Sequence, residues 1–64
     1  MHWTPSKIRE LRERRDQTQT RFGLELYDTT EETAQVLVSE LERGKMRPGR
    51  AAQRPLNRMK LGEL

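Results

Sequence analysis

The sequence predicts a small all-α protein, a bundle of four or five short helices. Its apolar residues recur three or four positions apart, which is the helical spacing, and strand-like alternation is missing. Residues that favour helix ends separate these apolar segments. A chain of 64 residues and 7.6 kDa withdraws only about 60% of its unfolded surface from water. We therefore expect residues 1–64 to form one domain around one core.

The first helix is predicted to follow Thr4, which is a good N-cap, with Pro5 at the first helical position. Ile8 and Leu11 continue the helical spacing, and the helix is expected to reach about Arg15.

The second helix is short and is predicted to begin after a second cap, Thr18. Phe22 and Leu26 share one face with Gly23, where a missing side chain leaves room for another helix to approach closely. Tyr27 and Asp28 form the next connection.

The third helix is predicted to be longer, running from Thr30 to Arg43, with Thr29 and Glu32 as a capping box. Gly44 is the expected left-handed C-cap. Four apolar residues at positions i, i+3, i+4 and i+7 form a stripe that must be buried, namely Ala34, Leu37, Val38 and Leu41.

A last helix is predicted to begin near Arg50. Its apolar residues are expected to dock on the core, and Pro55 predicts either a kink or a late start because proline removes an amide donor. The docking residues are Ala51, Ala52, Leu56 and Met59.

Composition excludes several classes of site. The chain has no cysteine and one histidine, His2, so we expect no disulfide, no metal and no cofactor. It also lacks a nucleophile-base arrangement and a glycine loop for phosphates, so we expect neither an enzyme nor a small-molecule substrate. No apolar run has the length of a membrane span, and we expect a cytoplasmic protein that does not bind membranes.

Charge is segregated along the chain, although the net charge is only +3. Residues 1–27 carry a net +2, residues 28–42 carry −5 without a single base, and residues 43–64 carry +6. The basic C-terminal third is either a surface that contacts phosphates or a solvated segment that folds back on the acidic middle.

Three blocks of residues resemble a known family. They cover residues 4–60 in the order Ile8-Arg9-Glu10-Leu11-Arg12, Thr18-Gln19-Thr20-Arg21-Phe22-Gly23 and Glu40-Leu41-Glu42-Arg43-Gly44-Lys45 with Arg47-Pro48. Together they resemble the lambda-repressor/Cro-like (XRE-type) helix-turn-helix DNA-binding family. The resemblance implies a small phage-type repressor that binds an inverted repeat in double-stranded DNA as a homodimer. Such a protein is expected to be associated with the nucleoid in the cytoplasm of a bacterial or phage-infected cell.

The resemblance places the third helix in the major groove and assigns contacts to individual residues. The expected base contacts are Thr33, Gln35, Val36, Ser39 and Glu40. The expected phosphate contacts are Gln19, Arg43, Lys45, Arg47 and Arg50. Glutamine suits the adenine edge, and valine suits the thymine methyl group. Glu42 is expected to pair with an arginine of the first helix, such as Arg12.

Several features depart from the family. About five extra residues lie between Leu26 and Leu41, and Tyr27 replaces the customary glycine. The acids at positions 31 and 32 would be repelled by phosphates. To avoid this repulsion, the third helix would enter the major groove at an angle that differs from the family's. Otherwise Glu32 or Glu40 would accept a hydrogen bond from a cytosine amino group. Alternatively, the chain is a degenerate helix-turn-helix module whose acidic third helix binds a protein.

Three surfaces are available for a homodimer. They are Trp3, the segment Leu61 to Leu64, and exposed apolar residues of the third helix. Trp3 covers either the core or a dimer contact, and the sequence leaves both open.

Overall fold

Four α-helices make up the structure, a computed structural model that describes residues 3–62. The helices are α1 (Pro5–Arg14), α2 (Gln19–Leu26), α3 (Glu31–Glu42) and α4 (Arg50–Gly62), and no strand occurs within residues 3–62. The all-α prediction is confirmed, with four helices rather than five. His2 and the last two residues of the predicted Leu61 to Leu64 dimer surface lie outside the described residues.

Threonine caps begin the first three helices. The hydroxyl oxygens of Thr4 and Thr18 accept hydrogen bonds from the backbone amides of Lys7 and Arg21, as predicted. At α3 the prediction was one residue off, because Thr30 and not Thr29 is the cap.

Thr30 Oγ1 accepts from the Thr33 amide at 3.3 Å. The third helical position is therefore Thr33 rather than Glu32. No acidic side chain occupies that position, and the predicted capping box does not form.

The C-terminal ends of α1 and α3 have the same geometry. Gly44 has a φ of +77° after α3, and its amide and that of Lys45 donate to Leu41 and Glu40 carbonyls. After α1, Asp16 has a φ of +55°, although side chains rarely adopt this left-handed conformation. Both ends are Schellman motifs, in which two amides satisfy carbonyls of the last helical turn.

One hydrophobic core joins all four helices. It includes Phe22 at its centre, and Ile8, Val38, Leu41 and Leu56 are also fully buried. Trp3 is buried in the same core, and its indole Nε1 donates to Asn57 Oδ1 at 2.9 Å. Of the two roles left open for Trp3, the structure therefore supports the one in the core.

Two predicted core positions are wrong. Leu37 is only half-buried and lies outside the core cluster, because Ala34, Val38 and Leu41 already form the strip that α1 and α2 cover. Ala51 is exposed, whereas Ala52, Leu56 and Met59 of α4 are buried as predicted.

The closest helix approach joins α2 to α3. A Cβ atom at Gly23 would lie 2.5 Å from the Ala34 carbonyl oxygen, far inside van der Waals contact. Beyond this contact, Tyr27 has extended backbone, with φ −131° and ψ 144°. Because any residue adopts this conformation, the connection between α2 and α3 does not require the glycine that Tyr27 replaces.

Helix α4 begins at Arg50, as predicted, and contains Pro55. It does not start late, because the proline φ is itself helical and only one hydrogen bond, to the Ala51 carbonyl, is lost. Ala51 is exposed, so water can take the place of that amide. Pro55 is buried, and the helix continues past it to Gly62.

Candidate nucleic-acid interface

A buried carboxylate fixes the end of α3 that faces α1 and α2. Glu42 is only 2% exposed, and Arg12 donates to both of its oxygens, from Nε at 2.6 Å and from Nη2 at 3.2 Å. The Nε atom of Arg9 lies 3.5 Å from Glu42 Oε1. The predicted pair between Glu42 and Arg12 is therefore confirmed, and it is a two-pronged ion pair.

Opposing effects act on the pKa of Glu42. Burial raises the pKa because it disfavours the charged form, but the hydrogen bonds and the charge of Arg12 lower it, assisted by Gln19 and Arg9. The lowering effects dominate, so the pKa lies below its ordinary value and the carboxylate is charged at neutral pH. The hydrogen bond to Glu42 correspondingly raises the pKa of Arg12.

Gln19 begins α2 beside this ion pair. Its Nε2 donates to Glu42 Oε1 at 3.4 Å, which is a long hydrogen bond, and the side chain is half-buried. The residue that the family resemblance assigns to a phosphate is therefore partly engaged inside the fold. Its contact with Glu42 joins the N-terminus of α2 to the C-terminus of α3.

The outward face of α3 carries the predicted base contacts. Thr33, Gln35 and Val36 are exposed, and Val36 is 54% exposed although it is apolar. Ser39 and Glu40 are half-buried and lie one turn further along the helix. Val36, Ser39 and Glu40 lie opposite the core strip of Ala34, Val38 and Leu41, and Thr33 and Gln35 flank this outward face.

Cations follow immediately where α3 ends. Arg43, Lys45, Arg47 and Arg50 are all exposed, and none of them forms an ion pair with a carboxylate of residues 3–62. Among the described residues, the Arg43 side chain donates one hydrogen bond, from Nε to the Ser39 carbonyl oxygen at 3.4 Å. Four exposed cations thus follow the C-terminal end of α3 within residues 43–50.

The opposite end of α3 is acidic. Glu31 and Glu32 form the exposed first turn, and Asp28 precedes them at an exposed position in the connection from α2. Acids in a first turn interact favourably with the helix dipole, which accounts for their presence without a ligand. The two ends of the outward face therefore have opposite charge.

Comparisons with known proteins identify no protein that is similar to this chain. No family model, no curated protein and no solved structure matches the chain. The resemblance to lambda-repressor/Cro-like proteins is carried by its three sequence blocks alone.

The described part of the chain contains neither a metal-binding cluster nor a membrane-spanning helix. Within residues 3–62, no three histidine, cysteine, aspartate or glutamate side chains are grouped to hold a metal ion. No helix in that range is long and apolar enough to cross a membrane.

A further set of exposed cations lies on α4, within the basic segment of residues 43–64 that the sequence already relates to phosphate contacts. Arg54 and Arg58 follow Arg50 at intervals of four residues, so that the three side chains share one helix face. The family resemblance assigns a phosphate contact to Arg50 but none to Arg54 or Arg58.

Proposed function

We propose that this protein is a sequence-specific regulator of transcription that binds double-stranded DNA, with α3 in the major groove. The observation that carries the proposal is the exposed surface of α3 with Thr33, Gln35 and Val36, followed in the chain by four cations that form no ion pair with a carboxylate of residues 3–62. Such a face combines groups that distinguish base edges with charges that neutralise phosphates.

Each part of this face has a distinct role in the proposal. Gln35 donates to and accepts from an adenine edge, and Val36 contacts a thymine methyl group. Thr33 and Ser39 offer hydroxyls, and Glu40 accepts from a cytosine amino group. The cations Arg43, Lys45, Arg47 and Arg50 hold the backbone and fix the register of the helix without reading sequence.

The proposal includes a homodimer that represses transcription from an inverted repeat. A good bidentate contact contributes about 1–3 kcal/mol of discrimination against a wrong base, so one module with few such contacts is poorly specific. Two modules on half-sites one helical turn apart combine their discrimination.

Selection of bound duplexes from a random pool tests the proposal directly. We expect an enriched palindrome whose affinity falls steeply with salt, because binding releases counterions from the phosphates. If no duplex is enriched above the starting pool, DNA recognition is wrong. Binding of a basic protein through Glu31 and Glu32 would then support the alternative of a protein-interaction module.

Two variants separate reading of bases from binding of phosphates. Q35A should relax the preference at one position in each half-site while binding to unrelated duplexes stays the same. K45A/R47A/R50A should weaken binding to all sequences and reduce the slope of log affinity against log salt by nearly 3, at about 0.9 per phosphate contact. Fluorescence anisotropy with matched and mismatched duplexes measures both effects. Uniform weakening by Q35A would reject its role as a reader.

A further inference from the structure

Helix α4 carries a row of arginines that the proposed function does not use in full. Arg50, Arg54 and Arg58 are exposed and recur at intervals of four residues, which spans about 12 Å along the helix. None of the three forms an ion pair with a carboxylate of residues 3–62. No acidic residue occurs between Arg50 and Gly62.

This arrangement weakens the helix that contains it. Like charges four residues apart repel each other, and α4 has no acid that would offset the repulsion. All three positions are arginine, whose planar group offers five donors in a fork that matches phosphate oxygens. A destabilising row of arginines without a carboxylate partner in residues 3–62 favours an anionic partner of another molecule.

The position of the row relates it to α3. Arg54 and Arg58 line one wall of a groove of about 460 Å³, and the end of α2 and its connection to α3 form the opposite wall. Tyr27, Asp28 and Thr29 belong to that second wall. The arginines therefore lie across a groove from the connection that leads into α3, whereas Lys45 and Arg47 follow the C-terminal end of α3.

We propose that Arg54 and Arg58 bind the sugar-phosphate backbone of DNA where it passes the N-terminal end of α3. This inference rests on the proposed function and extends it, since it adds a second set of phosphate contacts. Cations then flank α3 at both ends. The two arginines also compensate for Glu31 and Glu32, the exposed acids that would otherwise repel the backbone at that end.

A second copy of the chain fits this groove less well. Its wall includes two acids, Glu25 and Asp28, but Arg15 already pairs with Glu25 at 3.2 Å, and Gln17 donates to it as well. Only Asp28 is left to meet two arginines of a partner. The charge balance of the groove favours a polyanion.

The test compares two double variants that each remove two positive charges. R54Q/R58Q removes the proposed contacts, and K7Q/K60Q removes two exposed lysines that line a different groove, beside Trp3. Lys60 follows Arg58 by two residues and therefore lies on another face of α4. The probe is a labelled mixed-sequence duplex two helical turns long, titrated at several salt concentrations.

We expect R54Q/R58Q to lower the salt slope by about 1.8 and the affinity at about 100 mM salt by roughly 10- to 100-fold. K7Q/K60Q should change both much less. Equal losses in the two variants would mean that only net charge matters, and they would overturn the inference. Wild-type affinity and slope in R54Q/R58Q would also overturn it while leaving the proposed function intact. If the wild-type protein binds no duplex, both proposals fail.

R54E separates binding from stability. A glutamate at this position has Arg58 four residues later and Arg50 four residues earlier, so it should raise the melting temperature of the helix bundle. R54E should also weaken binding to the duplex more than R54Q or R58Q alone, because it replaces a positive charge with a negative one. A variant that is more stable and yet binds DNA as well as the wild type would contradict the inference, as would weaker binding that merely follows a loss of helix content.

Discussion

Glu42 is a charged residue inside a very small core, and its partners account for its presence there. An isolated carboxylate would be costly to bury, but Arg12 donates to both oxygens, and Arg9 and Gln19 occupy remaining positions on Oε1. Arg12 is 18% exposed and also donates from Nη1 to the Gln17 carbonyl oxygen at 3.0 Å. One carboxylate thus joins α1, the start of α2 and the end of α3.

E42Q should lower the free energy of unfolding by about 3–5 kcal/mol, because it leaves the Arg12 charge without its partner in a mostly buried position. Urea unfolding followed by circular dichroism at neutral pH measures the change. E25Q is the matched control, since Glu25 pairs with Arg15 at a site where its side chain is 43% exposed. That exposed pair should contribute less than about 1 kcal/mol. Similar losses in both variants would show that burial of Glu42 has no special effect.

Stability should also depend on pH through Glu42. Its folded pKa lies below the ordinary value of 4.5, so the unfolded chain takes up the proton first as the pH falls. The stabilisation is therefore complete above the unfolded pKa and is lost as the pH falls through the folded pKa. Unfolding measured from about pH 6 to pH 2 should show this decline in the wild type and a smaller decline in E42Q. An equally steep decline in both would exclude Glu42 as its source.

Single residues were predictable where the rule is local. Thr4, Thr18 and Gly44 were identified correctly because capping depends on a few neighbouring residues. The capping-box spacing of Thr29 and Glu32 favours Thr29 over Thr30, but both threonines offer the same hydroxyl, and the path of the chain makes Thr30 the cap. The hydrogen bond from Gln19 to Glu42 joins residues 23 positions apart, and the sequence does not show which atoms such distant residues bring together.

At the scale of elements, the pairing of α2 with α3 depends on a missing side chain. Gly23 lets the backbone of α2 approach Ala34, and the contact between these two helices is the most extensive in the bundle. The orientation of α3, and hence of its outward face, is set largely by this contact.

G23A should destabilise the fold by about 1–3 kcal/mol or more, because the added methyl group would overlap the backbone of Ala34 and force α2 away. G62A is the control: it adds the same atom to a helix at a place with nothing within 4 Å, and it should be neutral or slightly stabilising. Thermal melts of both variants provide the measurement. A melting temperature for G23A at or above that of the wild type would show that the helices separate at little cost.

Apolar spacing predicted the elements better than it predicted which of their residues are buried. The apolar stripe on α3 predicts four core residues, but the neighbouring helices cover only three of them and leave Leu37 half-buried. Ala51 was expected in the core and is exposed, because Ala52, Leu56 and Met59 define the buried side of α4. A helix rotated by a small angle exposes residues at the edge of its stripe, and that angle depends on packing.

At the scale of the whole molecule, Trp3 connects the start of the chain to its last helix. The residue is 8% exposed, donates to Asn57 at a separation of 54 residues, and has the Lys60 ammonium 5.9 Å from its ring centre. A domain of this size has little apolar surface to bury, so each large core side chain contributes a considerable share of its stability.

W3A should cost about 3–5 kcal/mol, which is enough to unfold much of a domain with a small core at 25 °C. W3F keeps a ring in the core and loses the indole donor and part of the volume, so its cost should be smaller. Far-UV circular dichroism and thermal melts distinguish the two. If W3A keeps the helix content and melting temperature of the wild type, Trp3 is dispensable for the core.

The segregation of charge along the chain is visible in the sequence. Where the charged residues lie in the folded protein could be predicted only in part. Segregation into basic, acidic and basic segments predicted the cations that follow α3. It did not predict that Arg54 and Arg58 lie across a groove from Asp28 and Thr29, because that depends on how α4 packs. The residues of the outward face of α3 were predicted as exposed or half-buried side chains, and their contacts with bases stay a prediction.

Trp3 is also the only tryptophan of the chain. Its intrinsic fluorescence therefore reports on folding, since indole emission shifts to longer wavelength when the ring moves from the buried core into water. The buried indole donates to Asn57 of α4 and lines a groove with Lys7 and Leu11 of α1. Titration with DNA can therefore be followed with a dye on the duplex while the intrinsic fluorescence records, in the same cuvette, whether each variant is still folded.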